Sequence, residues 1–270
     1  MYDLHVHTLH SADSKQTLSE ACEAAIRRGL EGIAVCDHAD MWFAEKLNTL
    51  EEIRSCMEDV RRARTLYGDR LEILQGLEMA EYFYDPPLAD RIEGLGGFDV
   101  ILGSVHSILY EDIDDSYSRV DFSAMPEEKI HGFLKAYFSE IAEMIEKTDF
   151  DVLTHLTCPL RYINGKYGRN IDILRFEKEL CGIFRQIIEK DIPLEINTSG
   201  LGSFYGRYMP DPFLVDKYKK MGGRLVTVAS DAHAPQSVGN AFAETKALLQ
   251  DMGFGSYCIF RQRKLIQRGF

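Results

Sequence analysis

Two histidines one residue apart, His5 and His7, are the first side chains here that could do chemistry together. On a β-strand alternate side chains share a face, so both imidazoles can offer a nitrogen to one cation. A lone His-x-His pair also occurs as a buried, hydrogen-bonded core pair, so the weight falls on what ends the later strands. His38, His106, His155 and His233 stand at or just after the C-terminal ends of predicted strands, as do Glu78 and Asp231. His131 falls in a helical pattern instead. Each residue alone is an ordinary polar strand end. Gathered on one face, they form a crowded cluster that needs cations to be stable. Neutral imidazole suits borderline transition ions and a carboxylate can bridge two of them. Mixed N/O ligands without thiolate therefore favour Zn, Mn or Fe over Ca or Mg. Water bound to such ions loses a proton near neutral pH, and clustered ions can also hold phosphoryl oxygens. The pattern reads as a hydrolytic site for a phosphoester.

The elements that must position these residues alternate steadily. Apolar, β-branched runs predict strands at 2–7, 30–36, 71–77, 98–105, 150–154, 193–196 and 224–229. Helical spacing predicts helices after Thr17 (stopped at Gly29) and at 48–67, 86–94, 126–147, 171–190, 212–221 and 238–252. The stretch 107–125 is polar and acidic with no clear period, 156–170 reads as a loop, and a short apolar tail follows the last helix. An open α/β sheet binds at one switch point, using about two strand ends. Candidate ligands here end six strands, and only a closed barrel brings six ends together. The expectation is an α/β barrel of seven strands, with its site at the C-terminal ends.

The length of 270 residues suits one barrel of about 250 residues. With no linker, repeat or low-complexity stretch, residues 1–270 are expected to form a single domain. The hydrophobic share of 45% and charged share of 27% are those of a globular protein. A net charge of −12 repels polyanions, so no nucleic-acid partner is expected, while a small phosphorylated substrate stays open. No apolar run approaches the roughly 20 residues of a membrane span, and the N-terminus lacks a signal-peptide pattern. None of the six cysteines forms a Cys-x-x-Cys pair, which fits structural thiols in a reducing compartment. A cytoplasmic protein without membrane contact is expected; the sequence carries no signature of an oligomeric state.

His5-Val-His7-Thr, Asp37-His38, Gly76-Leu-Glu78, Ser104-Val-His106, Thr154-His155 and Ser230-Asp231-Ala-His233 together resemble the motifs of the polymerase and histidinol phosphatase (PHP) superfamily. The order and spacing match over essentially the whole chain. Ser11-Ala-Asp13-Ser14, Glu195-Ile-Asn197-Thr-Ser-Gly200 and an Arg soon after His155 look most like the histidinol-phosphate phosphatase branch.

That resemblance implies a distorted (β/α)7 TIM-like barrel carrying three divalent metal ions. His5, His7, Glu78 and Asp231 would hold one ion; Glu78, His106 and His155 a second, with Glu78 bridging; His38 and His233 a third, completed by Asp13. His10, from the same loop as Asp13, competes for that last place. The resemblance assigns phosphate binding to Arg161, with Lys166, Arg169 and Arg207 as weaker candidates. It implies hydrolysis of L-histidinol phosphate to L-histidinol and phosphate in histidine biosynthesis, by attack of a metal-bridging hydroxide held near Glu78. Asp231 or His233 would assist the leaving group. Trp42, Phe43, Tyr82, Tyr84, Tyr110, Phe204, Tyr205 and Tyr208 could wall a substrate pocket or pack the barrel mouth, and Asp40, Glu81, Glu111 or Asp112 could meet an ammonium. Two alternatives are a phosphoesterase for another small phosphorylated metabolite or nucleotide, and a metal-binding module without catalysis.

Overall fold

β1 (Tyr2–Val6) is buried at every residue, the pattern of a barrel strand covered on both faces. The computed structural model describes residues 1–42 and 49–270. Phe43 and the first residue of the helix expected at 48–67 lie outside the described residues. Thr17 caps α1 (Leu18–Arg27) in a capping box with Glu20, and Gly29, at φ 69°, ends it. β2 (Gly32–Val35), β3 (His38–Asp40), α2 (Thr49–Tyr67), β4 (Glu72–Ala80), α3 (Pro86–Glu93) and β5 (Val100–Ser104) follow. Next come β6 (Ser107–Tyr110), β7 (Ile113–Ser116), α4 (Glu127–Lys147), β8 (Val152–Leu153), α5 (Glu177–Glu189) and β9 (Leu194–Asn197). The chain ends with α6 (Pro212–Lys220), β10 (Val226–Ala229), α7 (Phe242–Asp251), β11 (Ser256–Arg261) and β12 (Lys264–Gly269).

The main sheet runs β1-β2-β4-β5-β8-β9-β10, all parallel, and β3 continues beside the upper half of β4 by pairing His38 with Glu78. The seam closes where Val6 bridges Ala232 in parallel and His7 N–H donates to Ala232 O at 3.0 Å. Among the described residues this is a barrel of seven strand positions with helices between them, as expected. Large apolar side chains, among them Phe133 and Phe138 of α4 and Phe184 of α5, are fully buried. Each such side chain contributes about 1.5–3 kcal/mol.

Four stretches differ from the sequence reading. The third strand runs on to Ala80, so Glu78 sits inside β4 rather than at its end, where the register aims it into the barrel. The stretch 107–125 contains the antiparallel hairpin β6–β7, turned at Glu111 with φ 53°. Leu109 of that hairpin is exposed and Asp114 and Asp115 crowd its second strand, so the two-residue period is masked. Within 156–170, Arg161–Lys166 forms a π-helical turn. Gly165 lets that turn lie flat on the loop after β9, since a Cβ there would come within 2.9 Å of Phe204 Cδ2 and Tyr205 Cα. The apolar tail is the hairpin β11–β12. Its Arg261 pairs with Glu72, its Arg263 lies 2.8 Å from Asp151, and Tyr257 Oη accepts Tyr2 N–H. Those partners begin or precede β4, β8 and β1, so the hairpin covers the barrel end opposite the histidines.

Candidate metal centre

The barrel register collects the predicted ligands at one mouth. β1 supplies His5 and ends just before His7, while β3, β4, and the residues after β5, β8 and β10 supply His38, Glu78, His106, His155, Asp231 and His233. Glu78 is fully buried at the centre, and its two oxygens divide the histidines. Oε2 lies 3.2 Å from His5 Nε2, 3.5 Å from His7 Nε2 and 2.9 Å from His38 Nδ1. Oε1 lies 2.9 Å from His155 Nε2 and 3.2 Å from His106 Nε2. Asp231 Oδ1 is 3.2 Å from His7 Nε2 and 3.9 Å from His5 Nε2. Asp231 holds a φ of 51°, a left-handed conformation unusual for a non-glycine residue.

Five imidazoles have the outer nitrogen tied down and the inner one turned to the centre. His7 Nδ1 lies 3.0 Å from Ser11 Oγ, whose own hydrogen goes to Asp37 at 2.6 Å, so the ring is the donor. His106 Nδ1 is 3.2 Å from Asp40, His233 Nδ1 is 2.9 Å from the Asp231 carbonyl, and His5 Nδ1 is 2.9 Å from Glu195. His155 Nδ1 is 3.4 Å from Thr154 Oγ1, which donates to Gly103 O. An acceptor at Nδ1 fixes the tautomer that leaves Nε2 with a free lone pair, the state a metal ligand needs.

Whether the centre fits cations is tested by its unpaired atoms. His5 Nε2, His7 Nε2, His38 Nδ1 and Glu78 Oε2 are all buried and make no hydrogen bond of acceptable geometry. An orphaned buried polar atom costs about 1–3 kcal/mol. Four that converge on one point have the chemistry of a ligand set. Three overlapping groups each bring their ligand atoms within 4.8 Å: His5, His7 and Asp231; His38, Glu78 and His106; His7, His38 and His233. Every member of these groups is among the expected ligands, but the grouping differs: His155 and Asp13 fall in none of the three, His38 also faces Glu78, and His7 also faces His38 and His233.

The electrostatics match. Burial raises the Glu78 carboxyl, but His5, His106 and His38 outweigh it and hold it well below the usual range. Asp231 is held low in the same way, by His5, His7 and His233. Burial opposes charge on His5, yet Glu78, Glu195 and Asp231 lift it well above a free imidazole. His7 goes the other way, to about 3, because burial, His233 and His38 all disfavour its charge. Without cations the carboxylates draw protons onto the rings, so protons and metal compete for this centre.

The surrounding residues separate into those that reach the cluster and those that do not. Asp13 does, with its two oxygens 3.5 Å from His38 Nε2 and 3.4 Å from His233 Nε2. His10 turns to α2, 3.0 Å from both Glu52 and Asp59. Arg161 lies 3.4 Å from Ser199 Oγ, which is 3.2 Å from Asp231, and its buried Nε has no hydrogen-bond partner among the described residues. Lys166 is exposed, its ammonium 5.0 Å from the centre of the Tyr167 ring. Arg169 donates to the carbonyls of Phe122 and Ser123, and Arg207 pairs with Asp211 at 3.4 Å beside a cleft of about 470 Å³. Among the described residues none of these last three hydrogen-bonds or ion-pairs with the cluster. Sequence reasoning missed Ser11, Thr154 and Glu195 as partners of the ligands, and it placed Asp40 and Glu81 only as acids for a substrate. The Glu81 carboxylate accepts the N–H groups of His106 and Ser107. The signal available was position: each lies within a few residues of a strand end.

Residues 3–199 match the PHP domain family. The chain is 26% identical to a "probable histidinol-phosphatase" of Thermotoga maritima, over 98% of each chain. It is 26% identical to the histidinol-phosphatase of Lactococcus lactis, over 97% of this chain and 95% of the relative. Its fold is similar to the crystal structure of histidinol phosphate phosphatase from Lactococcus lactis complexed with Zn, L-histidinol and phosphate. That likeness has a TM-score of 0.79 at 24% identity and covers 98% of both chains. With the family match spanning well over half of its length, and ligand-bearing strand ends gathered at one barrel mouth, the chain belongs to the PHP domain family.

Proposed function

We propose that this protein is a metal-dependent phosphomonoesterase that hydrolyses L-histidinol phosphate to L-histidinol and phosphate in histidine biosynthesis. The observation that carries the metal dependence is Glu78, whose two oxygens face separate sets of histidines while four buried ligand atoms remain unpaired. The substrate rests on the relatives that match along nearly their whole length and carry the histidinol-phosphatase name. In this reading residues 1–270 act as one barrel. Six unpaired cysteines favour a reducing, cytoplasmic setting. No helix among the described residues is long and apolar enough to cross a membrane.

The residues would divide the work as follows. His5, His7, Glu78 and Asp231 hold one ion; Glu78, His106 and His155 a second; His38, His233 and Asp13 a third. When bound, divalent ions supply acidified water and neutralise phosphoryl charge. Arg161 binds phosphoryl oxygens through its guanidinium, with Ser199 Oγ accepting one of its N–H groups. His233 is the more exposed of the pair, with Asp231 Oδ1 3.5 Å from its Nδ1, and from there the two would assist the leaving group. The carboxylate of Asp40 holds His106 at Nδ1 and keeps that ring aimed inward.

Phosphate release over a panel of L-histidinol phosphate, sugar phosphates and nucleotides tests the substrate. L-histidinol phosphate should lead in kcat/KM by about a hundredfold or more. A sugar phosphate or nucleotide in first place would replace the substrate, and bound metal without turnover of any of them would favour a non-catalytic module.

A further inference from the structure

We infer that Glu195 is a positioning residue that fixes the tautomer of His5 and so decides whether the ligand set on β1 can take a cation. The inference rests on the metal-centre reading above. Glu195 lies in β9, is 0% exposed, and has no Lys or Arg partner among the described residues. A buried carboxylate is costly unless well paired, and the basic group it faces is His5. Glutamine has the same shape and would remove the charge, so the position needs something an amide cannot do.

The hydrogen bonds show what that is. Oε1 accepts the His155 backbone N–H at 3.1 Å and the Asn197 side-chain N–H at 2.8 Å. The Asn197 amide cannot turn over, because its Oδ1 accepts Ser199 N–H at 2.9 Å and the Ser199 hydroxyl at 2.7 Å. Oε1 is therefore committed as an acceptor twice. Oε2 lies 2.9 Å from His5 Nδ1. A carboxylate has no hydrogen to give, so the proton sits on His5 Nδ1. Nε2 is then the nitrogen left for a cation, 3.2 Å from Glu78 Oε2, and a proton that this carboxylate draws onto it is the one a cation displaces. The same side chain holds the backbone of His155 and, through Asn197, touches Asp231 at 3.4 Å. One carboxylate thus joins ligands from β1 and from the ends of β8 and β10.

An amide in its place has one satisfied orientation. Its oxygen must meet the two donors at the Oε1 position, which turns its NH2 toward His5 Nδ1. His5 Nδ1 then becomes the acceptor and the proton moves to Nε2, where it blocks metal binding. Glu195→Gln should keep every hydrogen bond and the fold, yet damage one cation site.

The test is Zn2+ content and chelator competition on wild-type protein and E195Q, with the melting temperatures of both metal-free forms. The expected result is a fold retained within a few degrees, with one Zn2+ equivalent lost or bound about 10–100-fold more weakly. Equal Zn2+ affinity in the folded variant would overturn the assignment. Should E195Q fail to fold, nitrogen-15 NMR of Zn-loaded wild-type protein decides alone. A proton on His5 Nδ1 with Zn2+ on Nε2 supports the inference, and the reverse arrangement overturns it. Wild-type protein that takes up no Zn2+ would overturn the metal-centre reading and this inference with it. Loading of the wild type alongside unchanged loading of E195Q would overturn only the role of Glu195.

Discussion

Asp3 and Ser230 are joined across the seam of the barrel: the Asp3 carboxylate accepts Ser230 N–H at 2.9 Å and the Ser230 hydroxyl at 2.5 Å. It also accepts Gly239 N–H at 2.8 Å. Burial pushes this carboxyl up to about 6, although its hydrogen bonds from Ser230, Gly239 and His5 pull the other way. The contact sits one residue before Asp231, whose left-handed backbone needs support from its surroundings.

Asp3→Ala should leave four donors, from His5, Ser230 (N–H and hydroxyl) and Gly239, without their acceptor at the seam and cost about 3 kcal/mol of stability. Urea unfolding measures this as a lower midpoint at unchanged slope. Asp3→Asn keeps one of the two acceptor oxygens and turns an NH2 toward two of the donors, so it should recover only part of that loss. A loss below about 1 kcal/mol in the alanine variant would mean the seam is held elsewhere.

Among the described residues Arg161 hydrogen-bonds to Ser199 rather than to a predicted ligand, so its removal should spare the cations. Arg161→Ala is expected to lower kcat/KM by about 10²–10³ with metal content unchanged. Arg161→Lys should recover only part of that, because an ammonium cannot make the paired contacts of a guanidinium. Steady-state kinetics with metal analysis of the same preparations reads both effects.

His10 gives a pH dependence with a definite sign. Burial alone would lower its pKa, but hydrogen bonds to Glu52 and Asp59, with the charge of Asp37 nearby, raise it. A folded value above the unfolded one, near 6.5, means the ion pairs contribute fully below that value. The contribution is lost as pH climbs through the raised folded value. The stability gap between wild type and His10→Gln should be largest near pH 6, at no more than about 1 kcal/mol given solvent screening, and should shrink toward pH 9. Thermal unfolding across that range checks it; a gap that grows with pH would contradict the clamp.

What the sequence disclosed follows from burial. Parallel barrel strands are covered on both faces, so β2 and β10 read as largely apolar runs closed by polar residues such as His38 and Asp231. The hairpins β6–β7 and β11–β12 were not legible, because Asp114, Asp115 and the charged residues of β12 break the alternation. The partners that set each imidazole were hidden for another reason. Ser11, Asp40, Thr154 and Glu195 come from four separate segments, and only the barrel register brings each to its ring. Asp13 rather than His10 facing His38 and His233 is likewise decided by the path of one loop, which composition does not encode.

Glu78→Ala removes the one side chain shared by both halves of the cluster. Metal content and phosphatase activity should fall together, the latter by about 10³ or more. Elemental analysis beside phosphate release tests this, and a variant with full metal content and full turnover would refute the bridging role.

The central claim is metal-dependent hydrolysis of L-histidinol phosphate. Its most direct test is the initial rate of phosphate release from that substrate by one preparation in three states: as purified, stripped by chelator, and reloaded with Zn2+ or Mn2+. The account predicts a fall of about a hundredfold or more on stripping and recovery on reloading. Undiminished turnover by protein shown to be metal-free, or no turnover by fully loaded protein, would contradict it.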